Sequence, residues 1–253
     1  MRVLISFLFI FVSLYSKDLS VTYKVSFGIF GKIGTAKASL HVKDKKYKIK
    51  VVAKSSGFAA FISGDREEVY ESEGFVEDGL LIPLEYRKTV QNSIMIGDEL
   101  SLKKYIKIYK FNHEKRKIIA FKTKIRGKSI SKSKESVPFY AKNDLLSLFF
   151  NFRKMFPDLK IRKHHILHAV GADKKTGKID IFPLKKEEFD KLISPNSKKL
   201  SFMRIILSDK IFSSKKGELY LALDSDGICK KAVLKDVLLF GDIRGVAVEK
   251  NDK

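Results

Sequence analysis

The chain has 253 residues, of which 51 are Lys or Arg and 29 are Asp or Glu, so its formal net charge is +22. A chain of this length forms one large or two ordinary domains with a substantial core. Its content of 44% hydrophobic residues excludes a disordered polycation. The single cysteine, Cys229, excludes an intramolecular disulfide scaffold and a thiolate zinc cluster.

The positive charge comes mainly from lysine, with 42 Lys against 9 Arg. Arg is the better ligand for guanine edges and for bidentate phosphate contacts, and the lysines are spread along nearly every segment. We therefore expect no nucleic acid partner. The charge predicts instead a general attraction to anionic surfaces.

Residues 1–16, MRVLISFLFIFVSLYS, have the order of a secretory signal peptide, with one positive charge, an apolar run and a short polar flank. The apolar run is shorter than the roughly 20 residues that a spanning helix needs. We expect cleavage after residue 16 and a periplasmic domain over 17–253 that carries no transmembrane helix. An uncleaved inner-membrane anchor remains an alternative, because Leu14 and Tyr15 make a mediocre cleavage site.

From Leu19 onward the hydrophobic pattern has a period of two, which predicts β-strands separated by short links. In YIKIYKF, Ile106 and Ile108 point to one face, and Tyr105, Tyr109 and Phe111 point to the other. A sheet that is apolar on both faces needs a cover or an enclosed interior. Strands are predicted over residues 21–30, 34–42, 47–55, 67–75, 80–89, 102–111 and 117–126.

The clearest helix is predicted over 144–155, with Asn143 as N-cap, Asp144 at the positive end of the helix dipole and Pro157 beyond its end. Apolar residues surround nearly its whole circumference, which predicts a buried helix that plugs or covers the curved sheet. The polar run 128–134, KSISKSK, is predicted to be a flexible link before it, and a sub-boundary near 127–140 is left open.

After this helix the pattern predicts a weaker helix over 185–193 and strands over 202–207, 218–223, 231–240 and 243–249. The fold class expected is mainly β, a large curved antiparallel sheet or barrel-like meander. It would hold one buried helix, at about 144–155, and minor helical segments in a single domain.

The motifs that could carry chemistry have simpler structural explanations. The segment from Gly171 to Lys178 departs from the phosphate-loop spacing and suits a hairpin turn. His164 and His168 would share one face of a strand, but two ligands do not make a metal site. Asp224-Ser-Asp226-Gly227 lacks the later Glu of a calcium loop and predicts a turn.

The acidic cluster Glu67, Glu68, Glu71 and Glu73 is interpreted as the polar face of an exposed strand rather than a carboxylate pair of a hydrolase. No Ser or Cys nucleophile can be tied to a His by motif. We therefore expect no catalytic residues, no cofactor and no metal, and a lone buried thiol at Cys229.

Three stretches of the chain resemble the exported bacterial family known as domain of unknown function 3108. They are YKVSFGIFGKIGTA at 23–36, NDLLSLFFNFR at 143–153, and Asp226-Gly227 with the strand pair around Gly241. Leu145 stands where the family usually has Pro, and Ala232 lies near a usual Pro-Val pair. The resemblance spans roughly 23–248 and implies a β-rich envelope protein, with no catalytic residues to carry over.

The physical reading of the central motif is that Asp144 caps the helix and Arg153 makes a polar contact at its far end. Arg153 is the one weak candidate for ligand binding. The function expected is non-enzymatic binding of an apolar or amphiphilic cell-envelope molecule, with an anionic lipid or glycolipid as partner. The alternative is an envelope scaffold that recruits a protein partner and holds no ligand. A continuous apolar cavity of about 300 Å³ or more would separate the two.

Overall fold

The computed structural model describes residues 17–28, 31–157, 162–192, 200–208, 214–237 and 241–252. The expected signal peptide, 1–16, lies outside the described residues. So do the last residues of the strands expected over 21–30 and 231–240 and of the helix expected over 185–193.

In the described part of the chain, fifteen strands form one sheet whose order is β8-β7-β6-β5-β4-β3-β2-β1-β15-β14-β13-β12-β11-β10-β9. All neighbours are antiparallel except the short pair β9 and β10, which is parallel. The strands are β1 (Lys17–Phe27), β2 (Gly31–Lys43), β3 (Lys46–Ser55), β4 (Glu67–Glu77), β5 (Leu80–Ile96), β6 (Glu99–Asn112), β7 (Lys117–Arg126), β8 (Ser129–Ser136), β9 (Asn143–Asp144), β10 (His165–Val170), β11 (Lys178–Pro183), β12 (Ser201–Ile206), β13 (Glu218–Leu223), β14 (Cys229–Val237) and β15 (Gly241–Asp252).

The chain starts in the middle of this sheet, winds out to the edge β8, and crosses to the opposite edge β9 through residues 137–142. That crossing spans at most about 25 Å, because each residue extends the chain by about 3.6 Å. Fifteen flat strands spaced about 4.8 Å apart would hold the two edges about 65 Å apart. The sheet is therefore strongly curved and open, which confirms the expected mainly β class.

Three helices lie between strands in the residues that the structure describes: α1 (Phe58–Ser63), α2 (Leu145–Met155) and α3 (Lys186–Asp190). Helix α2 lies inside the curve and packs against both halves of the sheet. Leu148 and Phe152 pack with the strands β10 to β13, whereas Leu146 and Phe150 contact the core formed by β1, β2, β3 and β5. The expected buried helix is confirmed, although its C-terminal Arg153 and Lys154 are exposed.

Of the two residues expected to cap α2, Asn143 was wrong and Asp144 is confirmed. Asp144 caps α2, with its backbone extended and its carboxylate accepting hydrogen bonds from the backbone N–H groups of Leu146 and Ser147. The Ser147 hydroxyl accepts in return from the backbone N–H of Asp144, which completes a capping box. Asn143 instead pairs with Ala169 in the short ladder between β9 and β10.

The polar run KSISKSK is not a flexible link, because residues 129–136 form the edge strand β8, paired along β7. All eight of its residues are exposed, so no buried face leaves an alternating pattern in the sequence. Strand β5 also continues beyond the expected residue 89 to Ile96, and β6 begins at Glu99. Helix α1 and the strands β10 and β11 were not expected.

Candidate functional site

A buried polar seam attaches the start of α2 to the concave face of the sheet. The Ser72 hydroxyl on β4 donates to Oδ2 of Asp144 at 2.6 Å, and Tyr47 Oη lies 2.9 Å from Ser72 Oγ. Asp144 and Ser72 are both fully buried. Burial raises the pKa of the Asp144 carboxyl from 3.8 to about 6, while its hydrogen bonds act in the opposite direction.

A second contact attaches the middle of the same helix to the sheet. The Asn151 side chain accepts a hydrogen bond from the Leu81 N–H at 2.8 Å and donates to the Leu81 carbonyl at 3.0 Å. Leu81 has no partner on β6, because the ladder between β5 and β6 begins only at Glu85. The Asn151 carboxamide therefore makes the two hydrogen bonds that a neighbouring strand would otherwise make with Leu81. These polar contacts fix the position of the aromatic residues that follow on the helix.

An apolar cavity of about 280 Å³ lies beneath those aromatic residues, inside the curve of the sheet. The helix provides Phe149, Phe150 and Phe152 as one wall, and the ring centroids of Phe149 and Phe152 are 5.5 Å apart in a stacked arrangement. Strands β1, β2 and β13 provide most of the remaining lining, which consists of Leu19, Val21, Tyr23, Ala38, Leu40, Leu219, Leu221, Leu223, Asp226, Gly227, Ile228 and Cys229.

Strand β15, the neighbour of the cavity-lining strand β1, carries small residues on its inner face. Strand β15 crosses between β1 and β14, with Ala247 opposite Tyr23 on β1 and Gly245 opposite Ala232 on β14. A Cβ added at Gly245 would have the Cβ of Ala232, at 3.9 Å, as its nearest described neighbour. Gly245 and Ala247 lie two residues apart and share the inner face of the strand.

The turn between β13 and β14 forms the polar mouth of the cavity. Arg153 extends from the exposed end of α2, and its Nη1 lies 3.4 Å from Oδ1 of Asp226, one of the lining residues. This confirms the polar contact expected for Arg153, which itself does not line the cavity and is 59% exposed. Burial raises the pKa of the lining thiol, Cys229, to about 12, which favours its protonated form; the expected buried thiol is half-buried.

A second cavity, of about 760 Å³, is lined mainly by basic and tyrosine side chains, and we call it the basic cleft. It lies between the concave face of β5, β6 and β7 and the turn that joins β10 to β11. Its described lining consists of Arg66, Tyr70, Tyr86, Lys88, Val90, Asn92, Lys103, Tyr105, Lys107, Tyr109, Lys124, Leu145, Gly171, Asp173, Lys174, Lys175 and Ser208.

A row of lysines crosses the floor of the basic cleft. Lys88 on β5 is the register partner of Lys107 on β6, which is in turn the partner of Lys122 on β7. Like charges directly opposite each other on neighbouring strands destabilise a sheet. Two carboxylates reduce this repulsion: Glu68 lies 3.7 Å from Lys88, and Glu135 contacts both Lys107 and Lys122.

Lys107 is the most enclosed of these lysines, with 12% of its side chain exposed. Its Nζ lies 4.5 Å from the centroid of the Tyr109 ring. Burial, followed by the nearby Lys122, lowers the pKa of Lys107 to about 8, although Glu135 acts in the opposite direction. The floor of the cleft therefore holds a partly desolvated ammonium group.

The histidines singled out in the sequence do not converge. His164 Nε2 lies 2.7 Å from Oδ1 of Asp180, whereas His168 Nδ1 lies 2.9 Å from the carbonyl oxygen of Thr176. Within the described ranges, no group of three or more His, Cys, Asp or Glu side chains could hold a metal ion. The helices described here include none that is both long and apolar enough to cross a membrane.

The acidic cluster divides between the two faces of β4. Glu67, Glu71 and Glu73 form ion pairs with lysines of β3, as expected for the polar face of an exposed strand. Glu68 faces the other way, where it binds Arg66 and accepts a hydrogen bond from the Tyr70 hydroxyl. Placing Glu68 with the others was therefore wrong, since period two puts it on the opposite face.

Sequence reasoning missed the basic cleft, although one signal was present. In YIKIYKF, Lys107 lies between Tyr105 and Tyr109 on one face of the predicted strand. An inward lysine between two inward aromatic residues is unusual unless it has a partner. The turn from Gly171 to Lys178, expected as a hairpin turn, is confirmed, and its Lys174 and Lys175 form the opposite wall of the cleft.

A solved structure that is similar to this chain is that of a beta-barrel-like protein of domain of unknown function DUF1849 from Brucella abortus. It has 10% sequence identity and a TM-score of 0.49, over 94% of this chain and 98% of that chain. No curated protein matches the chain. The model of the family described as "Protein of unknown function (DUF3108)" matches residues 22–227. The chain therefore belongs to the DUF3108 family.

Proposed function

We propose that the protein is exported to the periplasm and binds there, without catalysis, an amphiphilic cell-envelope molecule with an anionic headgroup. The observation that carries this proposal is the apolar cavity beneath α2. Export is supported by the signal-peptide pattern of residues 1–16.

The cavity has the size and lining that an apolar tail requires. Apolar cavities of 150 Å³ bind benzene, so a space of about 280 Å³ suits a segment of an acyl chain or a similarly slender apolar group. It is slightly smaller than the roughly 300 Å³ that was expected to separate ligand binding from the scaffold alternative, so the apolar lining and the mouth support the proposal and the volume alone does not. A larger ligand would therefore leave its polar part at the mouth, outside the cavity.

The mouth is suited to an anionic headgroup. Arg153 is exposed and held beside the cavity by Asp226 at 3.4 Å, a weak pair in a solvent-exposed position. A phosphate or carboxylate of the ligand would compete with Asp226 for the guanidinium group. The net charge of +22 favours the approach of such a ligand.

The alternative of an envelope scaffold receives less support from the sheet edges. The edge strand β8 carries Lys132 and Lys134, and the opposite described edge, β9, has only two residues. Lysines and very short strands are features that protect edges against pairing with another chain. Recruitment of a partner by strand addition is thus disfavoured at both described edges.

The test is native mass spectrometry with lipid extraction on the full chain, expressed in a bacterial host and purified from the periplasmic fraction without detergent. A stoichiometric amphiphile should co-purify with the wild type. Ala38→Leu places a larger side chain in the cavity and should reduce this occupancy at least about tenfold, since overfilling a packed site costs about 1–3 kcal/mol.

Lys37→Leu is the matched control, because it introduces the same side chain on the exposed face of the same strand. Its occupancy should equal that of the wild type. Equal occupancy in Ala38→Leu, or an empty wild-type protein, would contradict the amphiphile proposal. Recovery of the chain only from the cytoplasm would contradict export.

A further inference from the structure

We propose that the basic cleft is a second binding site, independent of the amphiphile cavity, and that it takes a sugar carrying two or more phosphate groups. Lys88 and Lys107 on the sheet and Lys174 on the facing turn would contact the phosphates. The phosphates could belong to a free sugar or to the headgroup of a lipid, and the chemistry of recognition is the same in both cases.

The charge of the cleft is the first argument. Among its described lining residues, seven are basic and one, Asp173, is acidic. The Asp173 carboxylate is occupied by the backbone N–H groups of Lys175 and Thr176 and by the Thr176 hydroxyl. A concave surface with this excess of cations concentrates anions.

The arrangement of the lysines is the second argument. Lys88, Lys107 and Lys122 occupy successive strands about 4.8 Å apart, so their repulsion is built into the register of the sheet. The Glu135 carboxylate is shared between Lys107 and Lys122, and the Glu68 carboxylate is shared between Lys88 and Arg66. These two carboxylates therefore neutralise the lysines only in part. An anion of charge two or more would reduce the remaining repulsion between the lysines.

The facing wall of the cleft adds charge from the other side of the molecule. A Cβ at Gly171 would lie 3.0 Å from Cε1 of Tyr86, so the turn between β10 and β11 packs closely on the sheet. Lys174 on this turn is near enough to lower the pKa of Lys107, together with burial and Lys122. Cations therefore approach a ligand from both walls.

The residue types favour phosphate over carboxylate. Lysine binds phosphate as a point charge, whereas planar bidentate recognition of carboxylates favours arginine. Arg66 is the arginine among the described lining residues, and Glu68 already binds it. The cleft volume of about 760 Å³ lies within the range of small-molecule pockets and accommodates a sugar ring with its phosphates.

Tyrosines give the cleft groups that suit a sugar. Tyr105 and Tyr109 flank Lys107 on the same face of β6, and both line the cleft. The Tyr109 ring is already stacked on Tyr86 and lies beside Lys107 Nζ, so it is the Tyr105 ring that offers an apolar face, while both hydroxyls offer hydrogen bonds. This combination binds a ring with both C–H and O–H groups.

The experiment measures binding by calorimetry with three probes: fructose, fructose 6-phosphate and fructose 1,6-bisphosphate. Affinity should increase with each phosphate and fall with added salt. Lys107→Gln should weaken binding of the bisphosphate about tenfold or more, because it removes a hydrogen bond to a charged group. Lys104→Gln, on the opposite face of β6, is the matched control and should bind as the wild type does.

Competition by vesicles of phosphatidylcholine with phosphatidic acid would assign the phosphates to a lipid headgroup, and a lack of competition would assign them to a free sugar. Both outcomes support the proposal if Lys107→Gln weakens the binding. Equal affinity for fructose and its bisphosphate, or equal losses in Lys107→Gln and Lys104→Gln, would overturn it. Ala38→Leu should bind the bisphosphate as the wild type does, because Ala38 lines the other cavity. The failure of this proposal can therefore be distinguished from the failure of the amphiphile proposal.

Discussion

Replacing Asp144 by Asn tests whether the seam that holds α2 contains a charge destabilised by burial. The carboxylate is fully buried and accepts hydrogen bonds from Ser72, Leu146 and Ser147. Within the described residues it forms no salt bridge. Asn is also a good N-cap, so Asp144→Asn keeps the cap and removes the titration. Its NH2 group then donates to Ser72 Oγ, and the Ser72 hydroxyl donates to Tyr47 instead.

The pKa of Asp144 sets the magnitude and the sign of the effect. Burial raises this pKa from 3.8 to about 6, and a shift of roughly two pH units corresponds to about 3 kcal/mol. Because the folded-state pKa is the higher one, the stabilising contribution is fully present below about pH 4 and is lost as the pH rises through about 6. The wild type should therefore lose about 3 kcal/mol relative to Asp144→Asn over this range.

The assay is urea unfolding followed by circular dichroism at a series of pH values, which suits a chain without tryptophan. The measured quantity is the difference between the free energies of unfolding of the wild type and the variant. Asp226→Asn, at an exposed carboxylate, is the control for the replacement of Asp by Asn itself. A difference for Asp144→Asn that is constant, or that grows in favour of the wild type with rising pH, would refute the reasoning.

Two further substitutions test the attachment of α2 and the burial of its aromatic face. Asn151→Ala leaves the N–H and carbonyl of Leu81 without their partner, and should lower the free energy of unfolding by about 3 kcal/mol in urea unfolding; a loss below about 1 kcal/mol would contradict this role. Phe149→Asp places a charge against Phe152 at the cavity wall and should abolish folding or amphiphile binding, as read by circular dichroism and lipid extraction. Lys154→Asp, on the exposed side of the same helix, should preserve both, and unchanged folding and binding in Phe149→Asp would refute the burial of this face.

Most of the fold could be predicted because its strands have one face in the core. The strand expected over 117–126 matches β7 residue for residue, and the helix expected over 144–155 differs from α2 by one residue. Both carry the buried pattern of their element, with Ile118 and Ala120 fully buried on one and Leu148 and Phe152 almost fully buried on the other. Periodicity detects this burial directly.

Edge and short strands escaped prediction for a physical reason. Strand β8 is held by its backbone ladder to β7 and buries no side chain, so its sequence carries no alternation. Strand β11 does alternate, with Ile179 and Ile181 fully buried, but it has only six residues and directly follows the expected hairpin turn. Such a short alternating run beside a turn predicts a strand.

The sites were harder to predict than the fold, because a cavity depends on what side chains leave unfilled. Nothing in the sequence shows that Ala38 and Leu219 line one space from different halves of the sheet. The central motif, in contrast, proved to be structural: Asp144, Ser147 and Asn151 hold the helix and do not face either cavity. Among the polar residues of the motif Arg153 reaches the mouth of one cavity, and its Phe149, Phe150 and Phe152 line that cavity.

An empty cavity beneath α2 would lower the free energy of unfolding of the protein. An empty apolar space of about 280 Å³ would destabilise the protein by up to about 7 kcal/mol, as core cavities cost about 24 cal/mol per Å³. The opening at the Asp226 turn reduces this figure, yet a domain has only about 5–15 kcal/mol of stability in total. Retaining such a space beside a helix held by a buried carboxyl is expected of a binding site and not of a solid core.

Stability and binding should therefore change in opposite directions when the space is filled. Ala38→Leu should raise the free energy of unfolding of the delipidated protein by about 1 kcal/mol, through apolar burial in the cavity, while it removes the amphiphile. Urea unfolding of delipidated wild type, Ala38→Leu and Lys37→Leu measures the first effect, and lipid extraction measures the second. If Ala38→Leu is destabilised and still retains its lipid, the space is already filled by the protein itself and the amphiphile lies elsewhere.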